Sequence, residues 1–177
     1  KTLPSIDFSA KRINNVELYP YKELIKNQLS GVMVAHMEVP SLEKTPKLPS
    51  TLSKNIITKL LKNKLKFEGL IITDAMDMKG VVDFNKDESA DVNALLAGND
   101  VLLMPDDLDQ STRSIKKALE EGVISDKRLS YSVKKILLAK YKAGLHKVSE
   151  ISLENISKDL NTEEDKSLFD ELTEKSI

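Results

Sequence analysis

Cysteine is absent from the 177-residue sequence, and so is tryptophan. The first absence removes disulfides, thiol nucleophiles and thiolate zinc sites together. Histidine occurs only at His36 and His146, too few for a multi-histidine metal site. Aromatic residues make up 5% of the chain, which weighs against a sugar cleft built on aromatic platforms from these residues alone. Lys and Arg (27) nearly balance Asp and Glu (28), so no excess of one sign points to nucleic acid or an anionic membrane surface as a partner. The longest apolar runs are strand-sized, short of the ~20 residues that span a bilayer. No signal-peptide pattern stands at Lys1, as holds equally for a mature or excised chain. The chemistry that remains belongs to carboxylates, lysines, hydroxyls and the two histidines. The length suits one ordinary domain or part of a larger one.

What is present is an alternation. Ser9 can cap a short helix over Ala10–Ile13, and Pro20 suits the first turn of a helix over residues 20–27. Gly31-Val32-Met33-Val34-Ala35-His36 reads as a continuous apolar strand, the pattern of burial on both faces. A proline-rich loop from Pro40 to Pro49 leads to helical spacing over residues 53–61, with Ile56, Ile57, Leu60 and Leu61 on one side. Gly69–Thr73 forms a second buried strand that ends on Asp74. Residues 89–96 read as a helix with Gly98 as its C-cap. Asp100–Pro105 is a third strand, and helices follow from about Ser111 to Glu121 and from Asp126 to Tyr141. Strands and helices alternating with short connections define an α/β fold of parallel β/α units, either doubly wound or closed into a barrel. In both arrangements functional groups gather at the C-terminal ends of the strands. Those ends are His36, Asp74 and Pro105-Asp106-Asp107. From Ser149 onward the chain turns polar and charge-dense, and Asn161–Asp165 has the pattern of a capped helix start.

The segment KFEGLIITDAMDMKGVV (residues 66–82) ends its strand on a carboxylate. Asp74 is either a cap for the next turn or the reactive group of a site. His36 taken alone reads as a hydrogen-bonded core histidine, Met76 and Met78 as gap-fillers, and Lys79 as a solvated side chain. Ile71-Ile72-Thr73-Asp74 before a methionine-rich turn resembles receiver domains, in which an aspartate at a strand end accepts a phosphoryl group. That fold also needs an acidic pair after its first strand, where only Glu38 stands near His36. It needs a lysine after its last strand, where Asp106 and Asp107 stand instead.

A more specific resemblance covers nearly the whole chain. KFEGLIITDAMDMKGV is similar to the nucleophile segment of glycoside hydrolase family 3, in its β-N-acetylhexosaminidase branch. ELYPYKELI with GVMVAHMEVP, the stretch LPSTLSKNIITKLLKNKLKFEGLIITDAMDM, AGNDVLLMPDD and VKKILLAKYKAGL resemble successive units of that family in the right order. The resemblance implies the C-terminal part of a (β/α)8 barrel over residues 1–147, roughly its last three β/α units. LTEKSI resembles the opening of the family's second domain, so residues 148–177 are expected to form a linker and the first helix of that α/β domain.

Function follows from the same resemblance. Asp74 falls on the nucleophile of a retaining β-N-acetylhexosaminidase, with Thr73 orienting it and a helix or loop donor keeping it ionised. His36 falls on a histidine lining the sugar pocket, by substrate contact or by positioning, and Met78 on a position that reaches the sugar. Asp77 is either near the site or a cap, and Asp106 and Asp107 are weaker candidates. No metal and no organic cofactor is implied. The substrate would be an N-acetylglucosamine-containing glycan or peptidoglycan fragment, and the branch favours export in a bacterium. KTLPSID resembles the tail of the branch's histidine–aspartate acid/base loop, which places that loop before Lys1. The N-terminal half of the same barrel is then the expected partner, and the 177 residues by themselves a catalytically inactive structural half.

Overall fold

The computed structural model describes residues 3–82, 84, 89–147 and 153–176. The chain divides into two compact units, Lys1–Ala143 and Gly144–Ile177.

In the first unit, α1 (Ala10–Arg12) begins where the Ser9 hydroxyl accepts a hydrogen bond from the Arg12 N–H. It runs into a wider π-helical turn over Ile13–Glu17, and α2 (Tyr19–Lys26) follows with Pro20 in its first turn. Strands β1 (Gly31–Val34), β2 (Leu70–Ala75) and β3 (Val101–Leu103) form one parallel sheet in the order β1-β2-β3. β1 is two residues shorter than its apolar run, so His36 lies beyond the ladder. β2 is longer than its run and carries Asp74 as a strand residue.

The connections are helical. A 3-10 turn (Ser50–Leu52) and a π-helical segment (Asn55–Lys64) join β1 to β2. Helices α3 (Lys79–Val82) and α4 (Ala90–Ala97) join β2 to β3. After β3 come α5 (Leu108–Glu120) and α6 (Asp126–Lys142), whose N-termini are capped by Asp107 and Ser125. The Asp107 cap sets the start of α5 three residues before the expected Ser111.

Register decides which side chains the helices cover. Val32 pairs with Ile71, Met33 with Ile72 and Val34 with Thr73, and paired residues of a parallel sheet share a face. Val32, Val34 and Ile71 are buried with Ile57, Leu61, Phe67 and Ala97, so this face meets the helical layer. Met33 on the opposite face is 56% exposed, and alternation puts Ile72 and Asp74 on its side. Two glycines permit close approaches here. A Cβ on Gly69, one residue before β2, would lie 2.6 Å from the Ser30 carbonyl oxygen. Gly98 has φ +124° as the C-cap of α4, and a Cβ there would lie 2.7 Å from the Thr58 hydroxyl, which donates to the Ala97 carbonyl.

The second unit holds α7 (Ile156–Asp159) and α8 (Glu163–Lys175). The expected helix start is present as a reciprocal cap: the Thr162 hydroxyl accepts from the Asp165 N–H, and the Asp165 carboxylate accepts from the Thr162 N–H. Leu168, Phe169 and Leu172 on this helix are exposed.

Candidate active site at the C-terminal ends of the strands

Asp74 stands near the C-terminal end of the central strand, half-buried, on the face away from the helices. Its Oδ1 accepts a hydrogen bond from the Ala75 N–H at 2.9 Å. The donor on this oxygen is thus a backbone amide at the strand's own end. Thr73 points to the other face and is fully buried. Its hydroxyl accepts from the Leu103 N–H at 3.0 Å, at the place where the β2–β3 ladder shifts register. Its bond therefore joins the strands, and the expectation that it orients Asp74 gives way to that role.

The turn after Asp74 is stitched to the end of β3. Met76 N–H donates to the Leu103 carbonyl at 2.9 Å and Asp77 N–H to the Met104 carbonyl at 3.2 Å. Met104 reaches this position with φ +44°, in the left-handed region that non-glycine residues occupy at a cost. The two methionines of the motif separate. Met76 is 3% exposed in a cluster with Leu52, Val81 and Ala94, whereas Met78 is 45% exposed. Asp77 is exposed. Asp107 is accounted for by its cap, accepting from the Gln110 N–H at 2.8 Å.

His36 is 4% exposed. Its Nε2 lies 2.9 Å from the Ala75 carbonyl oxygen and its Nδ1 2.7 Å from the Thr51 hydroxyl. A carbonyl can only accept, so Nε2 carries a proton, and in the tautomer with its proton there Nδ1 accepts from the Thr51 hydroxyl. The Thr51 carbonyl in turn accepts from the Asn99 side-chain amide at 2.8 Å. Sequence and structure therefore bring His36 and Asp74 to one place, with Ala75 between them.

Several buried polar groups escaped the sequence reading. Glu43, in the loop after β1, accepts from the Ser53 hydroxyl (2.6 Å), the Asn55 amide (2.9 Å) and the Thr45 N–H (3.0 Å). Burial opposes its charge, but these donors together hold its carboxyl below the usual range. Asp91 shifts the other way: burial raises its carboxyl, and the Ser111 hydroxyl offsets only part of that.

The largest cluster lies at the opposite, N-terminal end of β3. The Asp100 side chain is fully buried and accepts from Lys135, from the Ser132 hydroxyl (2.6 Å) and from the Ile71 N–H (3.1 Å). Lys62 and Arg128 each lie 3.9 Å away. Burial lowers Lys62 to about 8, although Asp100 pulls the other way. A readable signal existed: Arg128, Ser132 and Lys135 recur at the i, i+4, i+7 spacing of one helix face. Among the described residues no group of three or more His, Asp or Glu could hold a metal ion, and no helix is long and apolar enough to cross a membrane.

A parallel sheet with covering helices, with a carboxylate and a histidine at the C-terminal ends of its strands, has the architecture of a β/α-barrel enzyme segment. Residues 1–139 match the model of the glycosyl hydrolase family 3 N terminal domain, and the chain belongs to this family. It is 31% identical over 159 residues to the beta-hexosaminidase A of Pseudoalteromonas piscicida, covering 79% of this chain and 27% of that protein. It is 27% identical over 135 residues to a beta-N-acetylglucosaminidase/beta-glucosidase of Cellulomonas fimi, covering 72% of this chain and 24% of that one. Among solved structures, a family 3 beta-N-acetylglucosaminidase from Paenibacillus sp. str. FPU-7 superposes with TM-score 0.78 at 29% identity, over 88% of this chain and 30% of that chain. The chain thus spans 24–30% of the length of these relatives. Family membership decides between the two resemblances of the Asp74 segment in favour of the glycoside hydrolase.

Proposed function

We propose that this chain carries the nucleophile of a retaining glycosidase that removes β-linked N-acetylhexosamine, and that Asp74 is that nucleophile. The observation that carries the reading is the placement of Asp74: a half-buried carboxylate near the end of the central parallel strand, on the face the helices leave open, with one oxygen held by the Ala75 N–H. The Asp74 carboxylate attacks the anomeric carbon while the glycosidic oxygen leaves with a proton from a general acid. Water then cleaves the glycosyl–aspartate ester with that acid acting as base. The general acid is supplied by another part of the barrel. Met78, exposed on the turn after Asp74, is assigned to the sugar's surroundings, and His36 to the layer beneath the pocket. Residues 1–147 belong to the barrel in this reading, and 148–177 to a linker and the first helix of a second domain. The similarity to beta-N-acetylglucosaminidases supports N-acetylglucosamine as the glycone, in a glycan or peptidoglycan fragment.

The test is trapping. A protein containing this chain with its complete barrel is incubated with a 5-fluoro-N-acetylglucosaminyl fluoride, whose leaving group needs little acid assistance. Intact mass and peptide mapping are expected to place one adduct on the peptide containing Asp74. A folded, complete protein that forms no adduct, or forms it elsewhere, overturns the assignment.

A further inference from the structure

We infer that Thr51 and His36 are positioning residues that hold the Asp74 carboxylate through the backbone of Ala75, without either side chain touching the sugar. The inference rests on the reading of Asp74 as nucleophile. Its basis is a continuous run of hydrogen bonds. The Thr51 hydroxyl donates to His36 Nδ1 (2.7 Å), His36 Nε2–H donates to the Ala75 carbonyl (2.9 Å), and the Ala75 N–H donates to Asp74 Oδ1 (2.9 Å). Ala75 is therefore gripped on both sides of its α-carbon, by a histidine on its carbonyl and by the carboxylate on its amide.

Each link is directional. The Ala75 carbonyl can only accept and so requires the proton on Nε2, and the Thr51 hydroxyl matches that tautomer by donating to the other nitrogen. Thr51 is itself fully buried in the turn Ser50–Leu52. That turn is fastened twice more. The Asn99 amide donates to the Thr51 carbonyl (2.8 Å) and to the Ala94 carbonyl (2.7 Å), and the Ser50 hydroxyl donates to the Met37 carbonyl (2.7 Å). Both ring nitrogens of His36 are thus committed within the protein, and a 4% exposed ring presents little edge to a ligand. A histidine that only filled space would need no particular nitrogen at Ala75. A histidine that bound sugar would need one nitrogen free.

The geometry matters because displacing a reacting group by about 1 Å costs on the order of 10²-fold in rate. The test uses the complete protein and three variants: His36→Phe, His36→Gln and Thr51→Val. A glutamine amide can place its nitrogen where Nε2 stands and still donate to Ala75; phenylalanine cannot. For an aryl N-acetylglucosaminide, His36→Phe is expected to lower kcat by about 10²-fold with KM little changed, as for an interaction that acts on the reacting group. His36→Gln is expected to recover most of that loss. Thr51→Val, nearly the same shape, is expected to lower kcat with KM unchanged, and it carries the test if His36→Phe does not fold. A raised KM with kcat intact in the His36 variants overturns positioning in favour of sugar contact. Unchanged kcat in Thr51→Val, or no rescue by glutamine, overturns the relay. The fluorosugar trap separates the two readings: an adduct away from Asp74 removes the nucleophile assignment, whereas an Asp74 adduct formed at the wild-type rate in His36→Phe removes only the relay.

Discussion

Asp74 on β2 and Asp100 just before β3 lie at opposite ends of neighbouring strands and have opposite surroundings. Asp100, one residue before β3, has a fully buried side chain held by Lys135, Ser132 and the Ile71 N–H, with Lys62 and Arg128 at 3.9 Å. Asp74, near the end of β2, is half-buried on the open face, with the Ala75 N–H on one oxygen. Taking a carboxylate out of water is tolerable only when charges and donors replace the lost solvent, and Asp100 has both. A group that is to react needs the reverse, an accessible oxygen and a fixed direction. With Asp74 as the proposed nucleophile, the two ends of the sheet divide the work, stability at the N-terminal end and chemistry at the C-terminal end, as barrel strands commonly do.

The widest separation between the two carboxylates is expected from the same change made at each. Asp100→Asn leaves Lys135, Lys62 and Arg128 facing a neutral amide, and breaking a buried pair in this way costs about 3–5 kcal/mol. Asp74→Asn removes no such charge balance, so its urea midpoint should stay near wild type. Turnover by the complete enzyme, in contrast, should fall by on the order of 10⁴-fold or more. Equal stability losses in the two variants would erase the distinction. A smaller effect sharpens it at β2 itself. Thr73→Val leaves the Leu103 N–H without its hydroxyl acceptor where the ladder shifts register. An unpaired buried donor costs about 1–3 kcal/mol. Since Thr73 faces away from Asp74, KM and kcat should change far less than stability; a kcat loss exceeding the stability loss would return Thr73 to the site.

A further effect is a pH slope. Lys62 titrates near 8 in the folded protein against an ordinary value of 10.5. Between those values the unfolded chain holds a proton that the folded chain has shed, so Lys62 makes stability rise with pH across this window. Below about 8 both states are protonated and the cost of burying the ammonium is fully present. Lys62→Met is expected to remove that rise in urea midpoints measured at intervals from pH 7.5 to 10, without loss of stability at the lower end. A variant whose midpoints rise as steeply as those of wild type would show that other groups carry the slope.

Much of the fold was legible because its signals are local. Ser9, Ser89, Gly98 and the Thr162–Asp165 box all do at helix ends what their residue types suggest. The apolar runs at 31–36 and 69–73 mark strands whose order makes Asp74 a strand-end group. The boundaries moved where side chains decided them. The Asp107 cap starts α5 early, and β2 runs on through Asp74 to Ala75. The Asp100 cluster stayed hidden because its members lie on three separate segments, at 62, 100 and 128–135, and only the folded sheet brings them together. His36 was expected at the site from the sequence, but the partners that engage its two nitrogens, Thr51 and Ala75, are 15 and 39 positions away. Nothing local announces either.

The register of the sheet also sets the order of assembly. The first pairing joins Gly31 to Leu70 and the second joins Ile72 to Val101, so each ladder must close a long loop before its first bond forms. Helix turns close within a few residues and need no such search. Contacts this distant in sequence place the sheet among slow-forming structures. Asp74, His36 and Thr51 therefore acquire their mutual geometry only once β1 and β2 have paired and the Ser50–Leu52 turn has docked beside them.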